Sequence, residues 1–427
     1  MVAAAGVREP ALVIQAAGGR WRQQMKTMDA ILSAVPKDRV PPGSQTSLRE
    51  ANRARIIDAV QQRGAITQVE LVGVTGLSAA TISNIVKELT AAGVLNTAPT
   101  SRSGRRAQMV SLARNLGLVA GVHFAERSLR AVLADVTQRV VAEQRLPLPP
   151  DHRADSGLDR VAQLIEEMVD SLGASMTEVL AVGVGIPAPV DATTGMVSAS
   201  GVLRGWDWVP VPQVLGERLG LPVRVENDAN LGALAEHRIG AAIGTRNLVY
   251  LRASYGLGLG LIVDGHLVHG RSGAAGELGH IVVDPDGAPC RCGKRGCLET
   301  TAGATALLGT LQADRGHLAL RDVVTQALEG DAGLTLALAA VGRHLGRQLA
   351  VVCTLLDPEI VVVGGELARA GAILLDPLRA ELAAGALHGT AGPVPVVPAA
   401  LGEQAEARGA VALSVEASRI VVAGGVG

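Results

Sequence analysis

Three cysteines and one histidine fall within the eighteen residues from His280 to Cys297, in a chain of 427 residues that has only four cysteines. The stretch reads Gly276-Glu277-Leu278-Gly279-His280, then Cys290-x-Cys292-Gly-x-x-Gly296-Cys297-Leu298-Glu299. Thiols and imidazole in this number are the ligand set of a closed tetrahedral zinc site, and the glycines permit the tight turns that bring them together. His280, Cys290, Cys292 and Cys297 are therefore the expected zinc ligands, the alternative being a disulfide or a few buried thiols. A loop folded around the metal shapes a pocket. It fixes Glu277 and Glu299 near each other, where both can accept hydrogen bonds from a polyol. Cys353, alone in an apolar run at residues 349–356, is expected in the core.

Charge divides the chain unevenly. Residues 45–112 hold eight Lys/Arg against four Asp/Glu, leaving 31 against 36 elsewhere. A small basic module on a mildly acidic body points to nucleic acid as one partner. Within it a first helix is expected over residues 48–63, ending at Gly64. Thr67-Gln-Val-Glu70 fits a capping box that opens a second helix. Ser78 caps a third, whose Ile82, Ile85, Val86 and Leu89 share one face. Its other face carries Ser83, Asn84 and Lys87, side chains suited to base edges in a major groove. Two short strands, 94–95 and 109–112, flank a loop with Arg102, Arg105 and Arg106, which is the pattern of helix-turn-helix plus wing. Gly104 with its arginines at the wing tip suits a narrow minor groove. Solvated arginines on a protein-contact module are the bland alternative.

Beyond residue 112, apolar strands alternate with helices, indicating α/β architecture. Strands are expected at 118–124, 131–135, 179–186, 222–225, 248–251, 258–263 and, last, 359–363. Helices are expected at 158–172 and 334–356. Aromatics are 1% of the chain, so the cores must be aliphatic and recognition must rely on hydrogen bonds and charge. No stretch reaches the apolar length of a membrane span, and the start lacks a signal-peptide pattern. With cysteines concentrated in one cluster, a cytoplasmic protein without membrane contact is expected. Residues 1–44 show no periodicity and read as a disordered tail with a short helix at 20–35, Met25 and Met28 being alternative starts.

Glu226-Asn227-Asp228-Ala229-Asn230 opens a helix after a strand. Alone, such a pair commonly caps a helix. Together with Gly205-Trp206 upstream and the Glu277-x-Gly-His280 and Cys297-Leu-Glu299 motifs downstream, in the same order, it resembles the ROK family of repressors, open reading frames and sugar kinases. The resemblance spans roughly residues 45–420. It implies a two-lobed, actin-like ATPase fold of the sugar-kinase type over residues 113–427, preceded by a winged helix-turn-helix at 45–112. It also implies a sugar site formed by Asn227, Asp228, Glu277, His280 and Glu299, in which His280 touches both zinc and sugar. In the family's kinases the residue at Asp228 is the general base.

The nucleotide half departs from the family. Where its kinases carry an Asp-x-Gly-Gly-Thr hairpin, this chain has His123-Phe124-Ala125-Glu126-Arg127, and a carboxylate at Glu126 repels phosphate. The second phosphate loop reads Ser254-Tyr255-Gly256-Leu257-Gly258, with Tyr255 adding bulk. Gly364-Gly365 keeps the adenosine-side turn, which also serves a plain strand-to-helix connection, and Pro187-Ala188 replaces Pro-Gly. The expected function is a sugar-responsive transcriptional regulator, most simply a repressor. It would bind inverted-repeat duplex DNA as a homodimer or tetramer and respond to a sugar or sugar phosphate, with Asp228 a vestigial base. The alternatives are an ATP-dependent sugar kinase with an appended DNA module, and a ligand-independent DNA-binding protein whose second domain dimerises.

Overall fold

The computed structural model describes residues 13–14, 45–102, 105–149, 152–198, 203, 205–387, 389 and 391–418. The tail expected over 1–44, with its helix at 20–35, lies outside the described residues apart from Val13–Ile14 (β1). Those two residues are not free: they pair with Glu143 and Ala142 on a sheet edge.

The basic module folds as its caps direct. Helix α1 spans Gln45–Arg63, β2 Ile66–Thr67, α2 Gln68–Thr75 and α3 Ala79–Ala91. The capping box is present. Glu70 N donates to Thr67 Oγ1 at 3.3 Å, and Thr67 N donates to the Glu70 carboxylate at 2.9 Å. Ser78 Oγ accepts from Thr81 N at 3.1 Å, and Ile82, Ile85, Val86 and Leu89 are buried. The wing strands, β3 Leu95–Arg102 and β4 Arg105–Leu112, are each longer than expected and pair from Leu95↔Leu112 to Arg102↔Arg105. Only their apolar ends were legible, because a ribbon standing in solvent has no buried face to impose alternation. Ser103 and Gly104, the wing tip, lie outside the described residues.

The body has two sheets. The first, ordered β1-β7-β6-β5-β8-β9, contains β5 Leu118–Phe124, β6 Ser128–Asp135, β7 Val140–Pro147, β8 Val179–Ile186 and β9 Val223–Asn227. Helix α4 (Ala154–Ser171) and helix α5 (Val211–Leu219) belong to the same lobe, and α6 (Asp228–Ile239) follows β9 directly. The ladder with β8 continues through Ile186↔Asn227. The strand therefore runs two residues past the expected 225 and delivers Asn227 to the N-cap of α6. The second sheet, ordered β12-β11-β10-β13-β14, contains β10 Leu248–Ala253, β11 Leu257–Val263, β12 His266–Leu267, β13 Ile360–Gly364 and β14 Val396–Pro398. Strand β14 has no counterpart among the expected strands, of which 359–363 was the last strong one. Pro393, Pro395 and Pro398 crowd it and leave no alternating pattern to read. Five more helices complete the chain: α7 Glu299–Ala302, α8 Ala304–Arg315, α9 Leu320–Leu328, α10 Ala332–Leu356 and α11 Ala372–Gly385. A last helix, α12 (Ala405–Ala417), then returns to the first lobe, where Ser414 Oγ donates to Ala120 O at 2.6 Å.

Each lobe buries its own core, mostly aliphatic but with Phe124 and Trp206 in the first, and each fully buried Leu, Ile or Val contributes about 1.5–3 kcal/mol. Cys353 is buried in the second, as expected. A third core joins the winged helix to the body. Ile56, Val60, Leu89 and Val110 are continuous with Val132 and Ala134 of β6 and with Ala407, Val411 and Val415 of α12. Gln61 fastens this junction, its Nε2 lying 2.9 Å from Val415 O and 3.0 Å from Ser418 O. Among the described residues no single helix is long and apolar enough to cross a membrane; α2 and α3 meet that test only as a pair bent by 115°.

Candidate functional site

Asn227, Asp228, Glu277, His280 and Glu299, far apart in sequence, line one cavity between the sheets. Asn227 ends β9 and Asp228 opens α6, the loop after β12 brings the next two, and Glu299 opens α7. Asn227 also performs the bland role considered for it: its Oδ1 accepts from Ala229 N at 2.8 Å and Asn230 N at 3.3 Å. Its Nδ2 donates to Ala188 O at 3.2 Å, leaving one N–H for a ligand. Behind it, Glu226 takes Asn227 N at 2.8 Å and Asn230 Nδ2 at 2.9 Å on one oxygen, and His269 at 2.7 Å on the other. That carboxylate holds the Asn-Asp turn in place.

The cavity measures only about 30 Å³, room for a water molecule or so. Two arginines fill it. Arg291 makes a bidentate pair with Glu299, at 2.9 and 3.1 Å. Arg252, 5% exposed, sits among three carboxylates: Nε is 3.1 Å from Asp228 Oδ2 and 3.4 Å from Glu406 Oε1, and the guanidinium reaches Glu126 at 3.3 and 3.4 Å. Burial pushes the Glu126 carboxyl up, but Arg252 prevails and holds it at about 2. Glu277 has no such partner. Burial, with the Asp228 and Glu299 charges, raises its carboxyl to about 7, so near neutral pH it can donate as well as accept. Three buried atoms converge without a hydrogen bond among the described residues: Asp228 Oδ2, Arg252 Nε and His123 Nε2, the last 3.5 Å from Asp228 Oδ2. Unsatisfied polar atoms in a lined cavity are an invitation to a hydroxyl group.

The two turns that correspond to phosphate loops close on each other. Glu126 accepts from Gly256 N at 2.9 Å, and the Arg127 guanidinium lies over the Tyr255 ring at 4.9 Å. Leu257 N donates to Glu299 Oε2 at 3.2 Å. The replacement at Glu126 thus goes beyond repelling an anion, since it supplies one.

The four expected zinc ligands also come together, with their ligand atoms all within 4.8 Å of one another. Cys290 Sγ is 3.5 Å from His280 Nδ1 and Cys292 Sγ is 3.7 Å from Cys297 Sγ, near the ~3.5–3.8 Å edges of a tetrahedron with zinc–ligand bonds of ~2.0–2.3 Å. All four cysteines are free thiols, which removes the disulfide alternative among the described residues. Burial and the neighbouring thiols push Cys297 up to about 12. A divalent cation is what converts such thiols to thiolates. His280 turns Nδ1 toward the sulfurs and Nε2 toward the cavity, 3.8 Å from Glu277 Oε2.

On the basic module, Asn84 and Lys87 are exposed and Ser83 is partly so, on the face of α3 opposite its core. Arg102 and Arg105 occupy facing positions at the end of the wing, and Arg106 faces Ser101. A wider groove of about 1150 Å³ runs between the end of α1 and the body, but many of its charges are already paired, as in Arg238 with Glu416, Arg246 with Asp264, and His269 with Glu226.

Arg252, Arg291 and Glu406 were missed by sequence reasoning. Arg252 had a signal: a lone cation in the otherwise apolar Leu248–Ala253 strand requires a buried partner. Glu406 and Arg291 had none, since an acid in the first turn of a helix and a base between two cysteines are ordinary in solvent.

A model of the ROK family matches residues 119–417, and one for a winged helix-turn-helix DNA-binding domain matches residues 49–96. The DNA-binding transcriptional dual regulator NagC of Escherichia coli (strain K12) is 30% identical over 393 residues, covering 89% of this chain and 96% of the relative. The xylose repressor of Bacillus subtilis (strain 168) is 27% identical over 367 residues, covering 86% and 95%. Among solved structures, a ROK family transcriptional regulator described as a homolog of the E. coli MLC protein superposes with a TM-score of 0.69 at 25% identity, covering 87% of this chain and 97% of that one. A ROK family glucokinase from Streptomyces griseus, in complex with glucose and AMPPNP, superposes at 0.62 with 30% identity, covering 70% and 99%.

Proposed function

Because the chain belongs to the ROK family and carries a winged helix-turn-helix ahead of the family domain, we propose that it is a sugar-responsive repressor of transcription that has given up phosphoryl transfer. One observation carries this reading. The five expected sugar ligands share a cavity whose nucleotide side is sealed by the chain's own Glu126 and Arg127. Phosphoryl transfer needs free backbone amides and a carboxylate-held metal at the phosphates. Here Gly256 N is spent on Glu126, and Asp228 is ion-paired with Arg252.

In this reading residues 45–112 bind DNA and 113–427 sense the effector, a sugar or sugar phosphate, in the cytoplasm. Zinc held by His280, Cys290, Cys292 and Cys297 supplies rigidity, and His280 Nε2, Glu277, Glu299, Asn227 and Asp228 grip hydroxyls. A homodimer or tetramer presents paired winged helices to an inverted repeat, whose half-sites lie one helical turn apart or a multiple of it. Sugar shifts the balance between DNA-competent and DNA-incompetent arrangements only by binding them unequally.

The test is a titration of operator duplex, selected from random DNA by the parental protein, with and without D-xylose, N-acetylglucosamine or glucose. Parental protein should change its operator affinity by at least about fivefold with one sugar, and Asp228→Asn and Glu299→Gln should keep operator affinity but lose the response. The same protein should release no ADP from ATP with any of these sugars; turnover abolished by Asp228→Asn would restore a kinase.

The DNA face makes a separate prediction. Replacing Arg105 and Arg106 with Ala should lower the slope of log K against log salt by about two, since each lost phosphate contact releases about one counterion fewer. Asn84→Ala should instead change preference among operator variants by about 1–3 kcal/mol. Parental behaviour in both variants would displace α3 and the wing from the interface.

A further inference from the structure

We propose that Arg252 is the relay between the effector cavity and the DNA-binding domain, acting through α12; this rests on the sensor reading above. Its Nε carries one hydrogen and lies between two acceptors, Asp228 Oδ2 at 3.1 Å on the cavity wall and Glu406 Oε1 at 3.4 Å in the first turn of α12. In the structure that N–H lies within ion-pair distance of both but makes a hydrogen bond to neither, and Asp228 Oδ2 likewise accepts no hydrogen bond among the described residues. A single donor poised between two buried carboxylates has two discrete arrangements, and a hydroxyl decides between them. When a sugar hydroxyl donates to Asp228, the Nε–H is released to Glu406.

Glu406 belongs to a helix that transmits displacement rather than absorbing it. Gly409 packs directly on the Leu231 carbonyl of α6, and Gly183 of β8 directly on the Ala410 carbonyl, so closely that no Cβ fits at either position. Interfaces packed backbone to backbone move as units. Helix α12 is roughly 20 Å long at 1.5 Å per residue, and its far end holds the winged helix: Val415 and Ser418 carbonyls accept from Gln61 of α1, and Val411 and Val415 share the core of the DNA-binding domain. Tyr250 donates to Glu406 Oε1 at 3.2 Å and fixes the near end from the second lobe. The cavity and the DNA-binding domain therefore meet on one rigid element, with Arg252 at its head. Arg252 is a positioning residue in this scheme, and Glu406 is its contact on the rod.

Glu406→Gln tests the relay without endangering the fold, since it removes one of three carboxylates around a single buried cation and keeps the Tyr250 acceptor. Operator binding by full-length protein is titrated with and without saturating D-xylose, N-acetylglucosamine or glucose, and sugar binding is followed separately by thermal shift. The expected result is parental thermal shift and parental sugar-free operator affinity, with the sugar response reduced from at least about fivefold to less than about twofold. A merely structural role for Glu406 would move the first two readouts and spare the third. If the parental protein itself answers to none of the sugars, the sensor reading fails, and the relay that rests on it is overturned with it; a parental response retained in Glu406→Gln overturns the relay alone.

Discussion

Cys297→Ser is expected to abolish metal binding and to lower the midpoint of thermal unfolding by more than about 10 °C. Cys297 is fully buried, 3.7 Å from Cys292 Sγ, and a serine hydroxyl there is a poor zinc ligand. Zinc contributes to folding because the ligand geometry exists only in the native state, so its loss removes binding energy from the folded side alone. The damage should extend to the cavity, since His280 and Glu277 belong to the loop such a metal would tie together. Elemental analysis and a thermal scan of natively purified protein check both parts. Chelator-treated parental protein should approach the variant, and neither should be stabilised by sugar. A parental protein that carries no zinc and is unmoved by chelation would leave the cluster as buried thiols.

Arg252→Met is expected to destabilise the protein by about 3–5 kcal/mol near neutral pH, because it strands Glu126, Asp228 and Glu406 as buried charges without a cation. The sign of its pH dependence follows from Glu126. Its folded-state carboxyl is held at about 2, below the ordinary 4.5, so the protein binds fewer protons there when folded. That contribution, about 3 kcal/mol, is fully present above pH 4.5 and is lost as pH falls toward 2. In Arg252→Met the largest opponent of burial is gone, with only the Gly256 amide and the Arg291 charge left to lower Glu126, and its carboxyl moves up. The stability gap between parent and variant should therefore be widest at neutral pH and narrow on acidification below about 5. Urea unfolding at several pH values measures it. A gap that stays constant or widens toward acid would mean that the arginine does not hold the carboxylates in their charged form.

Much of the site was legible because chemistry written in a short window survives folding unchanged. The box Thr67–Glu70, the Ser78 cap and the stripe Ile82, Ile85, Val86, Leu89 are local patterns that settle local structure, and they appear where expected. The same holds for the His-Cys cluster, whose four members span eighteen residues and come together as a group that could hold a metal. Asn227 and Asp228 were expected only through motif order, since nothing within five residues of either distinguishes a sugar ligand from a helix cap, whereas Glu299 was brought in by the cysteine cluster two residues before it.

What the sequence could not supply is what depends on distant segments meeting. Arg252 and Glu406 are 154 positions apart and Gln61 and Val415 354 apart, and no local pattern encodes such pairs. Glu126 was readable as a lost phosphate ligand, but that its carboxylate occupies the Gly256 amide required two turns from different lobes to close on each other. The winged helix was readable as a module, whereas the core it shares with β6 and α12 was not, because an apolar face records that it must be covered and not by what. Residue types and short spacings thus determined the elements, the cluster that could hold a metal and the character of the pocket. Only the tertiary structure decided which charges neutralise one another and which helix spans from the pocket to the DNA-binding domain, because those depend on through-space distance, and chain separation places almost no limit on it in a compact fold.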